Sequence, residues 1–315
     1  MKNDPIESAL ARLDDISPQT PEGKFAFKKV LAAKSNLIVA KAARLIAAAM
    51  LTDLNDDLAT AFDRMIEKGA SSDKACAATI AIARALVQLD YDGPNLFLAG
   101  MRHVQMEASF GPPIDTAAEL REVCAMGLAN SAYAHKLREL VPLMVDKEWR
   151  VRAGAIRAIG IVGNESASLL LRYKMLIGDQ DPEVMSDCFA SVLQLEGSEG
   201  VKLVAGFSKS ANPEIREAAI LAIGASRRSD AIDWLIARFP QTADPPSRKC
   251  ILLALSTSRT ETAMEFLLKQ IHTATDATAR LAADALAIHS RDHHLADQID
   301  EAWAARSAAG TNSLK

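Results

Sequence analysis

The chain has 315 residues, of which 49% are hydrophobic, 24% charged and 5% aromatic, a balance that suits helices packed by Ala, Leu and Ile. Its formal net charge is −4 and neither sign is concentrated: residues 1–110 carry 13 Lys or Arg against 14 acids, residues 111–210 carry 11 against 13, and residues 211–315 carry 12 against 13. That spread argues against a nucleic-acid binder with a segregated basic face, and the longest apolar stretch, residues 37–51, holds Lys41 and Arg44 and is too short to span a bilayer.

Residues 5–13 and 22–33 read as two amphipathic helices around the turn-rich DDISPQTPEG, and together they form an N-terminal cap over 1–34. Asn36 then heads NLIVAKAARLIAAAM, followed by DDLATAFDRMIEKG. Asp73 heads DKACAATIAIARALVQL, followed by NLFLAGMRHVQMEA. The break SFGPPID, residues 109–115, is the most proline-rich among these early units and reads as a longer surface loop or a bend in a stack.

From Arg121 a stricter pattern takes over. Arg152 lies 31 residues on, and Met185, Arg216, Arg248 and Arg280 follow it at intervals of 33, 31, 32 and 32. Four positions before these later anchors stand Glu148, Asp181, Asn212, Asp244 and Asp276; three before stand Trp149, Pro182, Pro213, Pro245 and Ala277. This is a helix start: Asp and Asn side chains accept from the orphan N–H groups of a first turn, and proline there sacrifices no helix bond. Mostly small residues at plus three (Ala155, Cys188, Ala219, Ile251, Ala283) share a face with mostly apolar ones at plus seven (Ile159, Val192, Ile223, Leu255, Ala287), so neighbouring helices are expected to approach closely. A break and a second apolar helix follow each anchor helix, so the unit is an antiparallel pair. One pair has too little core to fold alone, and pairs must stack.

The run NPEIREAAILAIG, Asn212 to Gly224, resembles the HEAT repeat, and the period near 32 resembles its short bacterial PBS-lyase HEAT-like variety. The resemblance implies an all-α fold, a right-handed α-α superhelix of stacked antiparallel helix pairs. It also implies that Arg152, Arg216, Arg248 and Arg280 form a hydrogen-bond ladder between repeats, which Met185 interrupts. The expected organisation is one solenoid over 1–306, with about eight helix pairs over 35–306 and a disordered tail over 307–315.

The N-terminal residues 1–15 are charged throughout and have no signal-peptide core, so a reducing cytoplasm is the expected compartment. Cys76, Cys124, Cys188 and Cys250 have neither metal-ligand nor redox spacing, and Cys124 and Cys188 fall in the small-residue column as buried side chains. His289, His293 and His294 straddle an expected turn, so no metal site is assigned. Trp234 and Trp303 occupy columns held by Leu or Phe in other units and read as core; Trp149 takes the helix-start column held elsewhere by proline. There is no Gly-x-Ser-x-Gly turn, phosphate loop or zinc-protease motif, so no catalytic or cofactor-binding residue is assigned.

What remains is the concave surface that the second helices form in such a stack. Arg172, Lys174, Arg238 and Lys269 lie twenty to twenty-two residues after their anchors as a broken basic stripe edged by Asp233 and Glu265, suited to a protein or acidic peptide. The expected function is therefore a non-enzymatic scaffold or adaptor. Two alternatives stay open: a HEAT-like nucleic-acid-binding protein or DNA-repair glycosylase, and a subunit of a modifying enzyme or lyase.

Overall fold

The structure, a computed structural model, describes residues 5–312. It divides into two compact units, Met1–Leu170 and Leu171–Lys315. The first holds α1 (Pro5–Asp14), α2 (Pro21–Leu31), α3 (Asn36–Ala48), α4 (Asn55–Lys68), α5 (Ala77–Gln88), α6 (Pro94–Arg102), a hairpin of β1 (Met106–Glu107) and β2 (Ile114–Asp115), α7 (Ala118–Asn130), α8 (Lys136–Leu140) and α9 (Trp149–Val162). The division falls within α10 (Glu165–Ile177). The second unit continues with α11 (Pro182–Glu196), α12 (Ser198–Phe207), α13 (Pro213–Ala225), α14 (Ser229–Arg238), α15 (Pro245–Ser258), α16 (Glu261–Thr273), α17 (Asp276–Leu286) and α18 (His293–Asn312). The last helix thus runs past Arg306 into the expected tail, and residues 313–315 lie outside the described residues.

Each unit is an all-α solenoid built in two layers. In the first, α3 packs on α5, α5 on α7 and α7 on α9, while α2 packs on α4 and α4 on α6. In the second, α11, α13, α15 and α17 stack in order, and α12, α14, α16 and α18 form the accompanying layer. Close approach of α13 and α15 depends on a glycine eight residues after the anchor Arg216. A Cβ on Gly224 of α13 would stand 2.3 Å from the Ala254 carbonyl oxygen of α15, so only glycine permits that approach. Ala155, Cys188, Ala219 and Ile251 are all buried.

The helix starts follow from their side chains. The Asn212 side chain accepts from the Glu214 N–H (2.9 Å) and that of Asp244 from the Ser247 N–H (3.0 Å), each just before a proline. In the last repeat the cap moves back one residue, to Thr275, and Asp276 becomes the first helical residue.

The anchor arginines lock the loops that precede their own helices. Arg152 donates to the Asp146 carbonyl (2.9 Å), Arg216 to that of Ser210 (2.9 Å) and Arg248 to that of Thr242 (3.2 Å), six positions back in every case. Rungs to the next repeat also form: Arg216 Nε donates to Ser247 Oγ (3.2 Å) and Arg248 to Thr278 Oγ1 (3.4 Å). Arg248 also stacks its guanidinium 4.1 Å from the centre of the Phe239 ring. Two repeats solve the same problem with a borrowed cation. Where Met185 replaces the arginine, Lys174 pairs with Asp179 at 2.7 Å, both side chains nearly buried, and Asp179 is the residue six before Met185. Where Arg280 is exposed, Arg306 reaches in from α18 to donate to the Ala274 carbonyl (2.6 Å) and to Asp276.

Candidate interaction surfaces

The break at SFGPPID is a β-hairpin. Pro112 and Pro113 favour extended backbone in the residues before them, and the strands meet antiparallel with Met106 opposite Asp115 and Glu107 opposite Ile114. At the tip, Ser109 Oγ donates to the Pro112 carbonyl (2.6 Å) and accepts from the Gly111 N–H (3.1 Å). Phe110 stands fully exposed there.

Beneath the hairpin lies a buried polar network. Arg121 of α7, 4% exposed in its side chain, donates to Asp115 (2.7 Å), to both oxygens of Asp146 (3.1 and 3.2 Å) and to the His103 carbonyl (3.0 Å). The Gln105 side-chain amide donates to the Asp73 carbonyl (2.9 Å) and to Glu107 (2.7 Å), and Glu107 also accepts from Thr116 Oγ1 (2.8 Å) and the Ala75 N–H (2.6 Å). Asp73 itself is buried and caps the start of α5 through the N–H groups of Ala78 (2.8 Å) and Thr79 (2.9 Å). Burial alone would raise the Asp115 pKa, but the Ala117 N–H, the Arg121 guanidinium and the Gln105 N–H outweigh it and hold the carboxyl below the usual carboxylate range.

On this rigid base the apolar side chains point outward. Val104, Met106, Ile114 and Val145 each keep more than half of their surface exposed. With Pro113 they line an open groove of about 570 Å³ whose polar lining is Asp115, Arg121, Asp146, Lys147 and Glu148. Read from the sequence, NLFLAGMRHVQMEA runs on as one helix, whereas α6 stops at Arg102 and Val104 and Met106 belong to the hairpin and the segment that leads into it.

The four basic residues of the expected stripe have different surroundings. Lys174 is buried against Asp179, and Arg172 pairs with Glu196 through Nε at 2.6 Å and through a second guanidinium nitrogen. Arg238 is half-buried on α14 and Lys269 exposed on α16, and these two helices pack together. Trp234 and Trp303 are half-buried, whereas Trp149 is 42% exposed at the start of α9.

Alongside Arg238 the second unit has two adjoining clefts. One, of about 370 Å³, is lined among others by Ser208, Lys209, Arg216, Arg238, Gln241 and Asp244. The other, of about 320 Å³, shares Ser208, Lys209, Arg238 and Gln241 with it and adds Trp234. Asp244 is already engaged: first the Ser247 hydroxyl and N–H, then the charge of Arg216, hold its carboxyl below the usual range.

All four thiols are buried, and desolvation pushes them up, Cys76 to about 11 and Cys188 and Cys250 to about 12, which favours the protonated form. His289 shares a 3.0 Å hydrogen bond with the Ser256 carbonyl, and among the described residues no three His, Cys, Asp or Glu side chains gather around one point. No helix among the described residues is long and apolar enough to cross a membrane.

Residues 201–287, from α12 to the end of α17, match the family model of HEAT repeats. Residues 201–287 are HEAT repeats. The chain is similar to three solved structures at low identity. The Escherichia coli protein YibA is 16% identical over 91% of this chain and 98% of its own, with a TM-score of 0.46. The complex of CpcE and CpcF of phycocyanin lyase from Nostoc is 13% identical over 78% and 93%, TM-score 0.38. Human deoxyhypusine hydroxylase is 15% identical over 81% and 99%, TM-score 0.31. No curated protein sequence matches the chain.

Proposed function

We propose that this HEAT-repeat protein is a non-enzymatic scaffold that binds a protein partner, and that the hairpin surface of the first unit is its principal contact. The observation that carries the reading is the combination of exposed Val104, Met106, Phe110, Ile114 and Val145 with the buried Arg121 and its half-buried partners Asp115 and Asp146 beneath them. Apolar side chains of this size contribute roughly 1.5–3 kcal/mol each when a partner covers them fully. The network keeps them from collapsing onto their own chain, so the ordering cost is met before binding. Arg238 and Lys269 of the second unit offer the scaffold a separate, charged contact.

Affinity capture from native extract with the full chain, beside a Met106→Glu, Ile114→Glu variant, tests this reading. Both substituted positions are exposed, so the variant keeps its helical circular dichroism and melting temperature. A stoichiometric protein partner retained by the parent and lost from the variant is the expected result. Equal retention by both chains, or recovery of nucleic acid in place of a protein, contradicts it.

A further inference from the structure

The twin cleft of the second unit differs in kind from the hairpin. Its walls bring together two cations, an aromatic ring and a side-chain amide: Lys209 after α12, Arg238 and Trp234 on α14, and Gln241 just beyond α14. Their surroundings decide what they are for. Arg216, in the same wall, is used up on Ser210 and Ser247, and Asp244 on Ser247. Lys209 and Arg238, in contrast, enter no ion pair among the described residues, although 19 Asp and Glu are available in residues 171–315. Arg238 is half-buried and lines both clefts.

We infer that this cleft docks a short acidic peptide segment of a partner protein, its carboxylates engaging Lys209 and Arg238 and an adjacent apolar side chain lying against Trp234. Charge complementarity selects the acid: the half-buried Arg238 and the exposed Lys209 beside it supply guanidinium and ammonium donors for charge-assisted bonds to carboxylates. Trp234 selects a neighbouring apolar group, because an indole half-buried in a cleft wall offers wide apolar area at little entropic cost. The same residue types could meet a nucleic acid, with the indole stacking on a base. The charge count opposes that: residues 171–315 carry 16 Lys and Arg against 19 acids, whereas tight phosphate binding neutralises a run of phosphates and releases their counterions. Two cations suffice for a motif with one or two carboxylates. This site lies in a different unit from the hairpin and uses different chemistry, so either assignment can stand if the other falls.

The test uses the full chain and a fluorescein-labelled probe of sequence Glu-Glu-Leu-Glu-Glu, followed by anisotropy at low ionic strength. Saturable binding is expected, weakened roughly tenfold or more by Lys209→Gln with Arg238→Gln. Binding is expected to be unchanged by Lys249→Gln, which removes an exposed lysine outside the cleft. A Gln-Gln-Leu-Gln-Gln probe is expected to bind at least tenfold more weakly. Trp234→Phe removes the accompanying change in tryptophan emission and so locates the probe at the cleft. Absence of binding, or binding indifferent to the double substitution, overturns the inference. Displacement of the probe by an oligothymidylate that binds more tightly than the peptide also overturns it, in favour of nucleic acid.

Discussion

Arg121 and Arg216 hold the same position in two repeats and do unlike work. Arg216 donates to a carbonyl and a hydroxyl at the edge of its stack, keeps part of its side chain in solvent and stands 3.9 Å from Asp244. Arg121 is buried between Asp115 and Asp146 and pins a hairpin that the regular repeat lacks. One residue type at one register position thus serves either as a rung of the array or as the foundation of an insert, and what decides is the loop in front of it. A short loop offers a carbonyl six residues back; the hairpin offers the Asp115 carboxylate at that same offset. The regular repeats build the stack, and the irregular one displays a surface on it.

Substitution series separate these two roles. Arg121→Ala leaves two largely buried carboxylates without their cation and is expected to cost about 3–5 kcal/mol in urea denaturation. Arg216→Ala removes hydrogen bonds to neutral groups near solvent and is expected to cost about 1 kcal/mol. Equal costs at the two sites would erase the distinction. A gentler probe is pH. The Asp115 pKa is lowered in the folded chain, so its stabilising contribution is complete above its ordinary unfolded value and is lost only as pH falls through the lower folded one. The protection factors of the hairpin amides, which divide out the intrinsic pH dependence of exchange, are therefore expected to be flat from neutral pH down to the ordinary carboxylate range of about 4, and to fall below it. Asp115→Asn is expected to exchange faster even at neutral pH.

The repeat itself was legible because it rests on local chemistry. Asn212 and Asp244 followed by proline start helices in the sequence and in the structure, and the Ala-Ile-Gly ending at Gly224 marks a real contact of backbones. Position along a helix was less informative for side chains long enough to choose a direction. Lys174 shares its offset with residues of the expected basic stripe, yet it turns inward to the loop that Met185 cannot serve. No count of spacing reveals that, because the vacancy lies eleven residues further on. The hairpin was hidden for another reason: Met106 continues the apolar run of α6 and so reads as helix, while Phe110 and Ile114 lie in a break that the periodic pattern does not index. The cleft around Trp234 was partly visible through Arg238, but Lys209 sits in a loop that the helix register does not index.

The most direct measurement is site-specific photo-crosslinking from the hairpin tip. With benzoylphenylalanine in place of Phe110, and separately in place of Lys249 as an exposed control, illumination of cells carrying the full chain is expected to give a discrete protein adduct from position 110 and none from 249. Identical adduct patterns from the two positions, or a clean tip with no adduct at all, would contradict a scaffold that works through its hairpin.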